Sequence, residues 1–131
     1  MIVDDDREML LLLERIAARL TLAEIECHCA SQDALAAFEA LPSAYEFVIT
    51  DLEMPELDGL ELCHRFRALS PGLKILLLTG AGSRKATRAD FADAGFCAVV
   101  EKPFTIPALE SALAAAGVVQ PAKNPGGSAP G

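Results

Sequence analysis

Short apolar runs alternate with helical patterns along most of this chain, and this alternation constrains the fold more than any other feature. A repeated strand–helix order predicts an α/β fold, with a parallel sheet covered by helices on both faces. The predicted strands cover residues 1–3, 22–29, 47–50, 74–79 and 97–100. The predicted helices cover residues 7–20, 31–40, 58–69, 84–94 and 105–116, where apolar residues recur at helical spacing.

Capping signals mark several helix ends. Ser31 is placed to be the N-cap of the second helix and Asp58 that of the third, because an oxygen-bearing side chain there can accept from a free backbone N–H. Gly117 is placed to end the last helix, since glycine readily adopts the left-handed backbone found there. The first strand is short for an interior position, so about two to four apolar residues added before Met1 should raise the melting temperature.

Composition bounds the size of the folded unit. A chain of 131 residues fits one domain, and 52% hydrophobic residues can supply its core. We expect this domain to span residues 1–117. Residues 118–131 are rich in proline and glycine and cannot build a core, so they are predicted to be a linker or a disordered tail.

Charge and hydropathy exclude two classes of function. The formal net charge of −8 argues against nucleic-acid binding, which needs clustered Lys and Arg against the phosphates. No apolar run approaches the roughly 18 residues of a membrane span. Met1 leads directly into a strand-like run, so we expect no signal peptide and a cytoplasmic location.

Reactive side chains end four of the five predicted strands. Asp4 and Asp5 follow the first, Asp51 follows the third, Thr79 ends the fourth, and Lys102 follows the fifth. The carboxyl ends of parallel strands share one edge of the sheet, where open α/β sheets bind ligands. Three carboxylates there would repel one another, and Mg²⁺ would relieve that repulsion. Beside Lys102 and Thr79, Asp51 is suited to be a nucleophile that accepts a phosphoryl group.

Each of these residues also has a plainer interpretation. An acidic triplet at a chain start often only favours the dipole of the following helix, and a strand-end aspartate often only forms a turn. A single threonine or lysine at such a position is usually a cap or a solvated cation. Their co-occurrence at four strand ends favours the phosphoryl interpretation.

The chain has four cysteines: Cys27, Cys29, Cys63 and Cys97. In the cytoplasm they should be reduced. With the neighbouring histidines they admit a zinc interpretation, but the usual spacing of zinc-binding cysteines is absent. Cys27 and Cys29 alternate with polar residues, as small buried residues of a strand do, so we favour a packing role.

Five segments carry a resemblance to a known family. They read IVDDD at residues 2–6, VITDLEMP at 48–55, DGLEL at 58–62, LTG at 78–80 and EKPF at 101–104. With these motifs in this order, residues 1–117 resemble the receiver domain of bacterial two-component response regulators. The resemblance implies a flavodoxin-like (βα)5 fold whose five-stranded parallel sheet has the order 2-1-3-4-5.

The resemblance implies a set of Mg²⁺ ligands. Asp5 and Asp51 would bind the ion directly, and Asp4 would act through water. The backbone carbonyl of Glu53 would complete the protein ligands.

The resemblance also implies which residues handle the phosphoryl group. Asp51 would be the phosphoacceptor, Thr79 would bond a phosphoryl oxygen, and Lys102 would pair with the phosphoryl charge. The Lys102–Pro103 peptide would be cis.

The implied function is that of a signalling domain rather than an enzyme with an external substrate. The phosphoryl donor would be a histidine kinase or a histidine phosphotransfer protein. The output would pass to another protein or domain, and the resemblance also admits a homodimer that forms on activation.

Val99 departs from the family pattern, which usually has Tyr or Phe three residues before the lysine. This puts the usual aromatic switch in doubt and keeps a phosphorylation-independent interaction module open as a rival function. A second rival is a Mg²⁺-dependent aspartyl phosphatase, because Glu53 stands two residues after Asp51, where such enzymes carry a second acid. The sequence shows no domain that would cover a substrate.

Overall fold

A single parallel sheet organises the molecule. The computed structural model describes residues 1–20, 24–80 and 98–117. Five strands pair in the order β2-β1-β3-β4-β5, and every pairing is parallel. The strands are β1 Ile2–Val3, β2 Cys27–His28, β3 Phe47–Asp51, β4 Lys74–Gly80 and β5 Ala98–Lys102. This topology confirms the fold class and the strand order predicted from the sequence.

Four helices within the described residues cover the sheet. They are α1 Arg7–Leu20, α2 Ser31–Ala40, α3 Gly59–Leu69 and α4 Ile106–Ala115, and a 3-10 turn at Pro42–Ala44 follows α2. The predicted helix over residues 7–20 matches α1. The predicted helix at 84–94, Cys97 and the predicted tail at 118–131 lie outside the described residues.

Alternation of side chains along the strands gives the sheet two hydrophobic faces. On one face, strand residues pack against α1 and α4 in a cluster that includes Ile2, Ile49, Leu78, Ile16 and Leu109. On the other face, strand residues pack against α2 and α3 in a cluster that includes Val3, Val48, Ile75, Phe38 and Phe66. The rings of Phe38 and Phe66 stack with their centroids 4.1 Å apart. Buried faces on both sides explain why β3 and β4 are almost continuously apolar.

Several predicted boundaries are confirmed by capping geometry. Asp58 accepts a hydrogen bond from the backbone N–H of Glu61 at 2.9 Å and so caps α3, as predicted. Thr105 caps α4 by accepting from the N–H of Ala108 at 3.1 Å. Gly117 follows that helix with a φ of 78°, in the left-handed region predicted for a helix stop.

The prediction that Ser31 is the N-cap of α2 is wrong. Ala30 occupies the N-cap position, and no side chain caps the helix there. Ser31 is the first helical residue, and its hydroxyl bonds instead to the loop that follows β3.

Two strand predictions also need correction. In the described residues β2 is only Cys27–His28, shorter than the predicted 22–29, because its partner β1 offers just two residues for pairing. Among the described residues, strand β5 covers Ala98–Lys102 and so ends two residues later than predicted, and it pairs over this whole length with β4. Within the described parts of the chain, no helix has the length and apolar character needed to cross a membrane.

Candidate functional site

The carboxyl edge of the sheet brings the predicted acids and lysine together. Asp4 directly follows β1, Asp51 ends β3, and Lys102 ends β5. The Lys102 ammonium nitrogen lies 3.2 Å from Oδ1 of Asp51 and 3.3 Å from Oδ2 of Asp4. Carboxylate oxygens of Asp4, Asp5 and Asp51 lie within 4.8 Å of one another. Residues 98 positions apart in sequence thus form one charged cluster.

The acidic triplet divides into two roles. Asp6 accepts from the N–H groups of Glu8 at 3.0 Å and Met9 at 3.3 Å, so it caps α1. Its own N–H donates to Oδ1 of Asp4 at 2.9 Å, which fixes the orientation of the Asp4 carboxylate. Asp4 is fully buried, whereas Asp5 is exposed at the rim of the cluster. The plainer helix-cap interpretation therefore applies to Asp6, and Asp4 forms the floor of the site.

Backbone pairing holds the end of β3 against β4. The N–H of Leu52 donates to the carbonyl of Leu78 at 2.8 Å, one residue beyond Asp51. The hydroxyl of Thr50 donates to the Asp51 carbonyl at 3.0 Å. Thr79 lies next to the end of β4 and is 7% exposed, as is Asp51. Both side chains are therefore largely shielded from water but lie near the end of their strands.

Burial and like charge make the carboxylates of this cluster reluctant to ionise. Burial is the largest cause that raises the pKa of Asp51, and the Asp4 charge raises it further, while Lys102 opposes both effects. Burial also raises the pKa of Asp4, and the bonds from the Asp6 N–H and from Lys102 lower it only in part. The cluster carries more negative charge than Lys102 alone offsets.

Lys102 is strongly held in its charged form. Burial alone would lower its pKa, but the charges of Asp4 and Asp51 and its hydrogen bonds to them outweigh burial, so the pKa is raised. The Lys102–Pro103 peptide that follows is cis, as predicted.

The loop between β3 and α3 forms one wall of the site. The Gly59 N–H donates to the Leu52 carbonyl at 2.8 Å, which closes the loop, and the Met54 side chain is buried beneath it. A side chain at Gly59 would overlap the Asp51 carbonyl, so only glycine lets α3 begin so close to β3. The Glu53 side chain is exposed, and its Oε1 would lie 3.3 Å from a Cβ placed on Gly80.

Ser31, the first residue of α2, forms two hydrogen bonds to the same loop. Its hydroxyl donates to the Pro55 carbonyl at 3.1 Å and accepts from the Leu57 N–H at 3.3 Å. Between these two contacts, Glu56 has a φ of 68°, which is uncommon for a residue other than glycine. No sequence signal predicts this contact, because a serine at a helix start is indistinguishable from an N-cap.

The donor set suits a hard divalent cation. Carboxylates and backbone carbonyls are ligands that Mg²⁺ prefers, and the excess negative charge around Lys102 favours a cation. Of the described residues, this acidic trio is the one group of three or more potential metal ligands that the structure brings together. The zinc interpretation receives no such support, because Cys63 lies in the cluster under α2 and α3 and Cys27 packs on the opposite face.

Comparison with known proteins agrees with this geometry. Residues 1–114 match the family model of the response regulator receiver domain. The chain is 34% identical over 116 residues to the transcriptional regulatory protein TctD of Salmonella typhimurium strain LT2, covering 88% of this chain and 50% of TctD. It is 36% identical over 115 residues to the response regulator MprA of Mycobacterium sp. strain KMS, covering 87% of this chain and 46% of MprA.

A solved structure gives the same result for the fold. The CheY-like receiver domain protein from Methanospirillum hungatei JF-1 superposes with a TM-score of 0.76 at 26% identity, covering 86% of this chain and 87% of that one. The chain spans about half the length of the curated relatives TctD and MprA. It belongs to the response regulator receiver domain family.

Proposed function

We propose that this domain accepts a phosphoryl group on Asp51 and signals through the conformational shift that follows. The donor would be the phosphohistidine of a histidine kinase or of a histidine phosphotransfer protein. The observation that carries the proposal is the cluster at the carboxyl edge, where Lys102 lies 3.2 Å from Asp51 and 3.3 Å from Asp4. A nucleophile, a fixed cation and an excess of carboxylate are thereby gathered in one place.

Asp51 would act as the nucleophile. A carboxylate oxygen of Asp51 forms a bond to phosphorus while the P–N bond of the donor breaks, and the bonding electrons leave with the imidazole. Lys102 is held in its charged form beside that oxygen, so it can pair with the negative phosphoryl oxygens. Thr79, on the neighbouring strand, would donate its hydroxyl to one of them.

Mg²⁺ would be held by Asp5 and Asp51 directly, by Asp4 through water, and by the backbone carbonyl of Glu53. When bound, the ion supplies positive charge that offsets the phosphoryl oxygens and the acidic cluster. The protein contributes the fixed positions. Asp4 is oriented by the Asp6 N–H, and the loop of Glu53 is closed between Leu52 and Gly59.

The proposed context is cytoplasmic signalling. The curated relatives are about twice as long as this chain, so an output domain or a separate output protein would read the state of Asp51. The domain would catalyse only the gain and loss of its own phosphoryl group, and a homodimer on activation is one form its output can take.

Intact-mass spectrometry tests this proposal directly. The protein is incubated with acetyl phosphate and Mg²⁺, beside an Asp51→Asn variant and a sample without Mg²⁺. We expect one added phosphoryl group in the wild-type protein with Mg²⁺ and none in the other two samples. Addition of the group to the Asp51→Asn variant would contradict the assignment of Asp51.

If acetyl phosphate does not phosphorylate the protein, binding of beryllofluoride provides a further test. Beryllofluoride mimics an aspartyl phosphate without any transfer step, so we expect it to bind the wild-type protein and not Asp51→Asn. A folded protein that neither gains a phosphoryl group nor binds beryllofluoride would favour the phosphorylation-independent module. Steady turnover of a simple phosphomonoester would favour the aspartyl phosphatase instead.

Val99 is the observation that favours the interaction module as the second candidate. It lies on β5 opposite Leu77 and is 42% exposed, so an apolar side chain faces solvent where receivers usually have an aromatic ring. We expect Val99→Tyr to alter coupling to an output partner and to leave Asp51 phosphorylation within about two-fold of wild type, because Val99 lies three residues before Lys102 on β5 and therefore on the opposite face of the strand. Loss of phosphorylation in Val99→Tyr would refute this separation.

A further inference from the structure

We propose that Ser31 is a positioning residue for the Mg²⁺ site, an inference that rests on the proposed function. Ser31 is 2% exposed, and its hydroxyl bonds two backbone groups of the loop between β3 and α3. That loop carries Glu53, whose backbone carbonyl is a proposed ligand. Ser31 would therefore act on the metal through the shape of the loop, without touching the metal.

The two hydrogen bonds of the Ser31 hydroxyl flank one residue with an unfavourable backbone conformation. One hydroxyl donates to the carbonyl of Pro55 and accepts from the N–H of Leu57, the two neighbours of Glu56. Glu56 has a φ of 68°, a conformation in which the side chain crowds the backbone. A non-glycine residue keeps such a conformation only where its surroundings enforce it. The Ser31 hydroxyl bonds both flanking residues and so supplies part of that enforcement.

The loop transmits this restraint to the site. It runs without regular structure from Leu52 to Asp58, and Glu53 lies only two residues before Pro55. Its ends are fixed by the bond from the Gly59 N–H to the Leu52 carbonyl and by the burial of Met54. Ser31 restrains the remaining part, at the turn. Without the hydroxyl, Glu56 can relax toward negative φ, and this would shift the peptides on both sides of Pro55.

The test compares Ser31→Ala with Thr105→Ala. Each variant removes one hydroxyl that bonds to the backbone, but Thr105 caps α4, which packs on the opposite face of the sheet from Met54 and Leu57 of the loop. We expect both to lower the melting temperature by a few degrees. Isothermal titration calorimetry should show about ten-fold weaker Mg²⁺ binding for Ser31→Ala, as for other residues that support metal ligands, and an unchanged affinity for Thr105→Ala.

Amide hydrogen exchange in the absence of metal tests whether the Ser31 hydroxyl restrains the loop. In the Mg²⁺-free protein, the Leu57 amide donates to Ser31, so its hydrogen exchange should accelerate in Ser31→Ala and stay unchanged in Thr105→Ala. Equal exchange rates of the Leu57 amide in wild type and Ser31→Ala would show that the Ser31 hydroxyl does not restrain the loop.

A second substitution tests the role of the strained residue. Asparagine tolerates the left-handed conformation better than glutamate does, so Glu56→Asn should hold the turn with less help from Ser31. In the Glu56→Asn background, Ser31→Ala should weaken Mg²⁺ binding by less than about three-fold. An undiminished ten-fold loss in that background would contradict the proposed route through Glu56.

The outcomes separate this inference from the proposed function. If wild-type protein binds no Mg²⁺, the proposed metal site fails. If wild type and Ser31→Ala bind Mg²⁺ equally well, the metal site stands and the positioning role of Ser31 is overturned.

Discussion

The parallel strands give the sheet a carboxyl edge, where the strands end, and an amino edge, where they begin. Both edges bury charged groups, but the charge is relieved in different ways. At the carboxyl edge, the carboxylates of Asp4 and Asp51 contact the ammonium of Lys102, and Asp5 lies at the rim of the same cluster. At the amino edge, the ammonium of Met1 is buried and donates to the carbonyl of Phe47 at 3.1 Å, which is a neutral partner. Glu26, the acid whose charge most favours the Met1 ammonium, is also bonded to Tyr45 at 2.8 Å and to His28 at 2.6 Å.

The difference lies in what can restore neutrality. The amino edge can lose a proton, and burial accordingly lowers the pKa of the Met1 ammonium to about 6. At the carboxyl edge, burial raises the pKa of Asp4 and of Asp51, and the charge of Lys102 opposes that rise. The remaining negative charge is best offset by a cation from solution. The two edges thus differ in that the carboxyl edge offers ligand atoms for a cation, whereas the amino edge offers a proton to lose.

The strongest test of this comparison removes the central cation. Lys102→Met should lower the free energy of unfolding by about 3 kcal/mol in Mg²⁺-free buffer, because two buried carboxylates lose their shared partner. Urea unfolding at neutral pH measures the loss. Saturating Mg²⁺ should recover part of it.

A second variant serves as the control for that experiment. Asp51→Asn in the Lys102→Met background removes one of the unpaired carboxylates, so it should restore more than half of the lost stability. If the double variant is no more stable than Lys102→Met, the loss reflects packing of the lysine stem rather than charge.

The amino edge predicts a pH dependence of stability. The unfolded amino group has a pKa of 8.0 and the folded one about 6, so above pH 8 both states are neutral. As pH falls from 8 to 6, the unfolded state takes up the proton first, and stability should fall by about 2–3 kcal/mol. Below pH 6 both states are charged and this loss stays constant. Chemical unfolding at intervals between pH 5.5 and 8.5 would measure it.

Removing the charge of the amino group provides the matched control. A cleft of about 480 Å³ lined by Met1, Ile25 and Tyr45 leaves room for an added group. The N-acetylated chain should lose the part of the pH dependence that comes from Met1, and a chain with about two to four apolar residues before Met1 should do the same and melt at a higher temperature. Identical pH profiles for the free and acetylated chains would show that Met1 does not carry the effect.

Asp51→Asn should invert the order of stability between two buffers. Without Mg²⁺ the variant should be about 1 kcal/mol more stable than wild type, since it removes a carboxylate that burial and Asp4 disfavour. With Mg²⁺ at about a hundred times its dissociation constant, wild type should gain about 2.7 kcal/mol and the variant little. Thermal melts in both buffers would reveal the crossing. Parallel shifts of the two proteins with Mg²⁺ would place the ion elsewhere.

The sequence predicted the carboxyl edge far better than the amino edge. The approach of Asp4, Asp51 and Lys102 could be predicted because each stands at or just after a strand end, and the parallel order carries strand ends to one edge. That reasoning needs only the pattern and the topology. It does not need the position of any side chain.

The features that the sequence did not predict depend on contacts between distant segments. Ser31 fits an N-cap in sequence, and only the approach of the loop after β3 shows that its hydroxyl serves Pro55 and Leu57. Strand β2 is short because β1 has only two residues that pair with it. A count of apolar residues does not reveal this limit. In the same way, the capping role of Asp6 can be distinguished from the site role of Asp4 only when the start of α1 is known.

The smallest predicted effect comes from the second lysine of the sheet, Lys74 at the start of β4. Its ammonium donates to the Gly117 carbonyl at 3.2 Å, beyond the end of α4, and the side chain is exposed. Water solvates both groups equally well when the contact breaks, so Lys74→Met should change the free energy of unfolding by less than about 0.5 kcal/mol. Urea midpoints measured beside Lys102→Met, with equal denaturant slopes, give the comparison at matched chemistry. A loss as large as that of Lys102→Met would mean that burial among carboxylates is not what sets the two edges apart.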